Sequence, residues 1–472
     1  MDSKHWIGGK RVDSPATFPD LSPIDGTVIA DIARGGAIEV DAAVAAARAA
    51  FPCWAGTSRA ERARVLHAVA DGVERRIDEL AALEAADSGS VVRWNRGTMM
   101  PRVVRNFRFF ADWLTNSLGH PDFHTDGHEN HVTWEPAGVC ALITPWNAPL
   151  MLASWKVAPA LAAGNSVVLK PAEWSPLTAS LLADIAAEAG LPDGVLNVLQ
   201  GYGDEVGALL VEHPDLDRIS FTGSVATGRL VAAAAGANLT PVRLELGGKS
   251  PLLVFADADL DLAVDIAVGQ YANAGQFCLA ASRVLVDAAI ADEFTERFVA
   301  RGAELRQGDP RDEQTDVGPQ IHPEHFARVD GFVLRSLAGG ATALLGGGPN
   351  ADLGGLYYQP TLLTGMAEGA EILTEEVFGP VLTLQTFDTE EQAVAMANGT
   401  RFGLCAVVLT GDRDQARRVS GALAAGTVWV NCFYVRDLRA PFGGVKESGI
   451  GREGGTWSFD FFCDVKNTVT RH

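Results

Sequence analysis

The sequence predicts an α/β protein with two doubly wound units in one chain, and three observations lead there. Short β-rich runs alternate with helical stretches from Gly138 onward, the alternation restarts at Pro251, and the two series meet at a glycine pair, Leu244-Glu-Leu-Gly-Gly-Lys-Ser-Pro251. Alternation of this kind builds parallel strands joined by crossover helices. A length of 472 residues leaves room for two large domains, each with a sizeable core.

Residues 39–51 and 58–86 are Ala-rich with helical spacing, and Ser58 followed by Glu61 predicts a capping box at the second helix. The β-rich runs of the first unit are 139–144, 167–170, 195–199, 218–221 and 242–246, separated by helical stretches such as 176–189 and 203–212. The second unit begins with strand 251–255, helix 259–271, strand 283–287 and helix 288–305, and continues to about residue 431. Ligands of open α/β sheets sit beyond the carboxyl ends of strands, so the 244–251 junction is where chemistry is expected.

Composition narrows the function classes. Hydrophobic residues at 47% and charged residues at 21% exclude a disordered or low-complexity chain. A net charge of −21 argues against a nucleic-acid partner, because phosphate affinity comes largely from Lys and Arg. Six cysteines without a CxxC pair suit a reducing compartment, and Met-Asp-Ser-Lys-His carries no apolar leader, which together predict a cytoplasmic protein. Residues 136–155 lack charge for nearly a membrane span, but Pro136, Pro145 and Pro149 break a helix there and Asn147 is costly in lipid, so the segment reads as core.

Several segments are candidate sites. Gly449-Ile-Gly451-Arg-Glu-Gly454 matches G-x-G-x-x-G, yet only 18 residues follow it, too few for a βαβ unit, and it reads as a turn. Phe221-Thr-Gly223-Ser224 ends a strand and opens a helix, either a phosphate cradle or a tight turn. Lys170 and Glu173 end another strand, where they either face ribose hydroxyls or are solvated charges. Cys278 sits among small residues in Ala-Asn-Ala-Gly-Gln-Phe-Cys278, a candidate nucleophile or an inert core thiol, and Glu245, 33 positions earlier, is a candidate base or a hinge residue. His120, His124, His128 and His131 have near-helical spacing, but Pro121 and Gly127 interrupt any helix, so a polar loop is expected and no metal site. Arg102, Arg105 and Arg108 step by three along a helix, either a carboxylate-binding cluster or a solvated face.

Taken together, Pro145-Trp-Asn147, Leu169-Lys-Pro-Ala-Glu173, Phe221-Thr-Gly-Ser224, Leu244-Glu-Leu-Gly-Gly-Lys-Ser-Pro251, Gly275-Gln-Phe-Cys278, Glu375-Glu-Val-Phe-Gly-Pro380 and Pro441-Phe-Gly-Gly444 occur in the order typical of aldehyde dehydrogenases, which the chain resembles nearly end to end. The resemblance implies two doubly wound Rossmann-like domains plus a β oligomerisation arm. Residues 1–116 and 138–246 would form the NAD-binding domain, 247–445 the catalytic domain, and 117–137 with 446–472 the arm and tail of a homodimer or homotetramer. It implies Cys278 as nucleophile, Glu245 as general base and the Asn147 amide with the Cys278 N–H as oxyanion hole. NAD would contact Thr144, Trp146, Lys170, Glu173, Gly203, Gly223, Ser224, Leu246, Glu376 and Phe378. A carboxylate at Glu173 on the ribose 2′-hydroxyl would repel a 2′-phosphate, which favours NAD over NADP.

The segment Asn431-Cys-Phe-Tyr-Val-Arg436-Asp-Leu-Arg439 resembles the branch that oxidises 2-hydroxymuconic and 5-carboxymethyl-2-hydroxymuconic semialdehydes, in which arginines hold the substrate carboxylate. By that resemblance Arg102, Arg436 and Arg439 are the substrate-binding candidates. Phe107, Trp113, Phe433 and Tyr434 would instead shape an apolar mouth for a benzaldehyde-type or aliphatic aldehyde. Two rivals of other classes are a non-catalytic binding protein on the same fold and a cysteine acyl hydrolase using Cys278 and Glu245 without NAD.

Overall fold

The computed structural model describes residues 4–119 and 121–471. Among these, an eight-stranded and a seven-stranded sheet carry most of the chain, with a three-stranded arm and a small hairpin beside them. In the larger sheet Val139–Ile143 pairs in parallel with Ser166–Lys170 on one side and Arg218–Thr222 on the other. The chain therefore winds outward in both directions from this strand, which opens a crevice beyond Ile143 and Thr222, the expected ligand position of a doubly wound sheet.

The strands are apolar on both faces because both faces are covered. Cys140 and Leu142 point into one core, while Val139, Ala141 and Ile143 alternate into another. Helices Arg59–Arg75, Met100–Asn116 and Pro149–Ala163 pack on the first face, and Ala37–Ala55 with Val225–Ala237 on the second. The uncharged 136–155 segment is thus a buried strand and the start of a buried helix. Among the described residues no helix is long and apolar enough to cross a membrane.

In the second sheet Pro251–Val254 lies between the parallel strands Arg283–Asp287 and Cys405–Leu409. The junction 246–250 joins the two sheets directly, running from the carboxyl end of Val242–Glu245 to the start of Pro251–Val254. The hairpin Asp122–Thr125 and His128–Pro136 carries the tail strand Cys463–Arg471 antiparallel along its whole length, from Cys463 opposite Pro136 to Arg471 opposite His128. The rest of the tail returns to the first unit. Gly449–Ile450 adds an antiparallel edge to Val242–Glu245, and helix Gly455–Phe462 buries Phe459 and Phe462 in the first core.

Four local readings change. Residues 58–86 are two helices, because the chain leaves helical geometry at Arg76 (φ −114°, ψ 19°). Ser58 accepts from the Glu61 N–H at 3.2 Å, but the Glu61 carboxylate pairs with Arg64 and not with the cap, so only half of the capping box forms. His124, His128 and His131 belong to the arm hairpin, not to a loop, and His131 pairs with Asp122 across it; His120 lies outside the described residues. The Gly449 motif is an edge strand followed by a turn, as its position near the tail makes possible.

Candidate active site

Cys278 ends a strained loop. After helix Leu260–Val268 the chain passes through Asn273 (φ 50°) and Ala274 (φ 53°), left-handed conformations that cost about 1–3 kcal/mol each for residues with a side chain. Side-chain hydrogen bonds hold them. Asn273 Nδ2 donates to the Asn147 carbonyl at 2.9 Å and to the Gln276 carbonyl at 3.2 Å, and Asn147 Nδ2 donates to the same Gln276 carbonyl at 2.9 Å. Gly275 (φ 72°) has to be glycine, because a Cβ there would strike the carbonyl of Gly379. The loop bearing the thiol is thereby tied to the Pro145-Trp-Asn147 turn of the first sheet and to the 375–380 loop of the second.

A cavity of about 360 Å³ collects Cys278, Glu245, Asn147, Arg102, Arg436 and Tyr434. Cys278 is half-buried, and burial, with the Glu376 and Glu245 carboxyls nearby, pushes its thiol well above the usual range. Glu245 is buried at the end of its strand with neither carboxylate oxygen hydrogen-bonded among the described residues. Burial and the neighbouring Glu453 raise its carboxyl well above the ordinary value, against the pull of Lys156, Arg243 and Arg436. Behind it Lys156 bridges Glu453 at 2.9 Å and the Ser220 hydroxyl at 2.9 Å, a fully buried pair.

The two arginines stand on aromatic faces. Arg102 lies 4.7 Å from the Tyr434 ring centre, and Arg436 is sandwiched between Trp155 (4.8 Å) and Phe442 (4.0 Å). Burial and the nearby Arg102 charge pull Arg436 down to about 10, so the Arg436 guanidinium stays cationic at neutral pH, and the two arginines lie near one another. Neither forms a salt bridge among the described residues, unlike Arg439, which is exposed and paired with Asp437 at 2.6 Å, outside the cavity. Arg439 is therefore removed from the substrate site. Arg105 is exposed, and Arg108 pairs with Asp71 and Glu74, so the arginine cluster reduces to Arg102. Phe107 is core and only Phe433 and Tyr434 of the four aromatic candidates line the cavity.

The crevice beside this cavity has the features of a dinucleotide site. Ser224 Oγ caps helix Val225–Ala237 by accepting from the Thr227 N–H at 3.1 Å, and Gly223 precedes it at the end of Arg218–Thr222. Gly228 is kept side-chain-free by Leu246, which itself lines the cavity. Lys170 is buried and donates to Glu173 at 3.2 Å and to the Pro171 carbonyl at 2.8 Å, while Glu173 keeps an exposed edge across from Gly203. Thr144 Oγ1 is buried with no partner among the described residues, beside the half-buried Trp146. Glu376 accepts from the Gly248 N–H at 2.9 Å, and burial pushes its carboxyl up to about 7. Phe378 has φ 62° and meets Trp146 edge-on at 5.2 Å. An orphaned hydroxyl, a helix N-terminus behind Gly223 and a Lys-Glu pair at the switch point are the groups that pyrophosphate and ribose hydroxyls would meet.

Sequence reasoning missed Asn95, Met99 and Asn106, which line the cavity with Arg102. Their spacing of four, three and four residues is a helix stripe, begun by a π-turn at Asn95–Met99. It also missed Lys156, although a lone lysine within the apolar 149–163 helix signals a buried partner. Among the described residues no group of three or more His, Cys, Asp or Glu side chains could hold a metal ion.

Comparison with known proteins places this geometry. Residues 11–468 match the model of the aldehyde dehydrogenase family. The chain is 45% identical to 2-hydroxymuconic semialdehyde dehydrogenase of Pseudomonas sp. (strain CF600), over 99% of both chains. It is 43% identical to 5-carboxymethyl-2-hydroxymuconate semialdehyde dehydrogenase of Escherichia coli, over 96% of this chain and 98% of that one. The crystal structure of PnpE in complex with nicotinamide adenine dinucleotide superposes with a TM-score of 0.98 at 39% identity, covering 100% of this chain and 98% of that one. With its thiol, carboxylate and amide converging on one cavity at the junction of two doubly wound sheets, the chain belongs to the aldehyde dehydrogenase family.

Proposed function

We propose that the protein oxidises a carboxylated semialdehyde, of the kind released by aromatic ring cleavage, to the corresponding acid with NAD. The observation that carries the substrate is the pair Arg102 and Arg436, which line the Cys278 cavity on aromatic faces without an acidic partner. In a chain of net charge −21, an anionic substrate needs such a local positive site to offset the long-range field. A carboxylate can take bidentate hydrogen bonds from guanidinium, which fixes the far end of the substrate while its aldehyde meets Cys278. The names of the two semialdehyde dehydrogenases above support this reading.

The chemistry follows from the side chains. Cys278 Sγ releases its proton to water and, as thiolate, adds to the aldehyde carbon, and the negative charge that forms on oxygen is met by the Asn147 amide and the Cys278 N–H. One Asn147 N–H is spent on Gln276, which orients the amide and leaves the other for the oxyanion. When bound, NAD supplies the hydride acceptor that converts the adduct to a thioester. Glu245, with both oxygens free, removes a proton from water, whose oxygen attacks the thioester carbonyl and expels the Cys278 thiolate with formation of the acid. Lys170 and Glu173 are assigned to the adenosine ribose, Gly203, Gly223 and Ser224 to the adjoining phosphates, and Thr144, Trp146, Leu246, Glu376 and Phe378 to the nicotinamide end. The Glu173 carboxylate disfavours a 2′-phosphate, so NAD is preferred over NADP. The tail strand Cys463–Arg471, exposed from Asp464 onward at one edge of the arm, supports a homodimer or homotetramer, which we place in the cytoplasm.

Arg436→Ala tests the substrate reading. Removing one charged hydrogen-bonding partner of a bound carboxylate should raise KM for an acidic semialdehyde by roughly tenfold to a hundredfold and leave benzaldehyde within about threefold. An equal effect on both substrates would leave the arginine with a packing role only, and the carboxylate assignment would fall.

A further inference from the structure

The 376–378 segment is held from behind by one helix face. Helix Pro323–Ala338 presents His325 and, one turn on, Arg328. Arg328 donates to the carbonyls of Glu376 (2.6 Å) and Val377 (2.5 Å), and His325 Nε2 donates to the carbonyl of Phe378 (2.7 Å). Three successive carbonyls of one loop are thus fixed by side chains of a helix some 50 residues away in sequence. A row of this kind defines the direction of each peptide plane, and with it the side chains between them.

The last of the three carries most of the constraint. Phe378 is left-handed at φ 62°, a conformation that a residue with a Cβ keeps only when its surroundings impose it. The next residue, Gly379, is wedged between Val329 of the same helix and Gly275 of the nucleophile loop, so the peptide that follows Gly379 lies against the segment that carries Cys278. Trp146, from the first sheet, packs 5.0 Å from the His325 ring and 5.2 Å from Phe378. His325 is 6% exposed, and burial lowers its pKa to about 4, so the ring is neutral at ordinary pH with its single proton on Nε2, where the carbonyl demands it.

We propose that His325 is a positioning residue for cofactor binding: through the Phe378 carbonyl it holds Phe378 and Glu376 in the conformation that receives the nicotinamide end of NAD. The inference rests on the assignment of Glu376 and Phe378 to the cofactor made above. It predicts that losing the Nε2 donor affects NAD affinity and leaves the intrinsic reactivity of Cys278 in place. Glutamine places an amide N–H at a similar reach and should replace the histidine. Asparagine is polar but too short.

The test compares His325→Leu, His325→Asn and His325→Gln by calorimetric titration with NAD, alongside the rate at which iodoacetamide alkylates Cys278 without NAD, followed by mass spectrometry. His325→Leu and His325→Asn should each weaken NAD binding by roughly tenfold, with His325→Gln within about twofold of wild type and alkylation unchanged in all three. If the leucine variant does not fold, the asparagine and glutamine pair carries the comparison. Equal NAD affinity in all variants, or equal loss in asparagine and glutamine, would overturn the proposal. Glu376→Gln is titrated in parallel. Unaltered NAD affinity there would remove the cofactor assignment of the loop itself, whereas weakened binding there with unaffected His325 variants would remove the positioning role alone.

Discussion

Cys278→Ala should lose aldehyde oxidation by a factor on the order of 10⁴ or more in kcat, because no other thiol in the cavity can form the covalent adduct. The side chain stands at the end of a loop whose strain is absorbed by Asn147, Asn273 and Gln276, none of which depends on the sulfur. The variant should therefore fold and bind NAD as wild type does. Stopped-flow mixing with NAD and aldehyde checks both halves, and substantial turnover by Cys278→Ala would overturn the nucleophile assignment. Cys278→Ser should be nearly as inactive, since its hydroxyl is far less readily ionised than a thiol in the same buried setting.

Glu245→Gln gives the second largest effect and a different kinetic signature. The carboxyl is the hydrolytic base in this account, so its loss should lower steady-state turnover by about 10²–10⁴ while the first turnover still proceeds. NADH should then appear as a burst of about one per active site followed by a slow phase, as expected when a thioester accumulates. The sign of the pH dependence follows from the direction of the shift. Burial and Glu453 raise the Glu245 carboxyl well above its ordinary value, so the base is protonated over a wider range and turnover should rise with pH until that raised value is passed. In Glu245→Gln this limb should flatten. An unchanged steady state without a burst would contradict the assignment.

Much of the fold was legible because the relevant signals are local. Alternating strands and helices, the apolar texture of 139–143 and the charge-free segment around Asn147 each express burial within a short window. The ordered motifs single out Cys278, Glu245 and Asn147 as candidate nucleophile, base and oxyanion amide, and all three line one cavity. What escaped depends on contacts between distant segments. Nothing near Gly449 reveals that Gly449–Ile450 pairs with Val242–Glu245, and nothing near His325 reveals that its ring meets the Phe378 carbonyl. Arg439 and Arg436 are three residues apart in the same segment, yet one pairs with Asp437 in solvent and the other is enclosed by Trp155 and Phe442. Sequence spacing does not decide which of two such arginines turns inward. The stripe Asn95, Met99, Arg102, Asn106 was visible in principle, but a polar stripe facing a cavity has the same period as one facing water.

Oxidation of an acidic semialdehyde with NAD is read from the initial rate of NADH formation on 2-hydroxymuconic semialdehyde beside benzaldehyde and propanal, with NADP run in parallel. The arginine pair and Glu173 predict a kcat/KM for the semialdehyde with NAD at least roughly tenfold above every other combination, the increment expected of a charged hydrogen bond. Equal or faster turnover of the uncharged aldehydes would contradict the carboxylate site, and equal use of NADP would contradict the role given to Glu173.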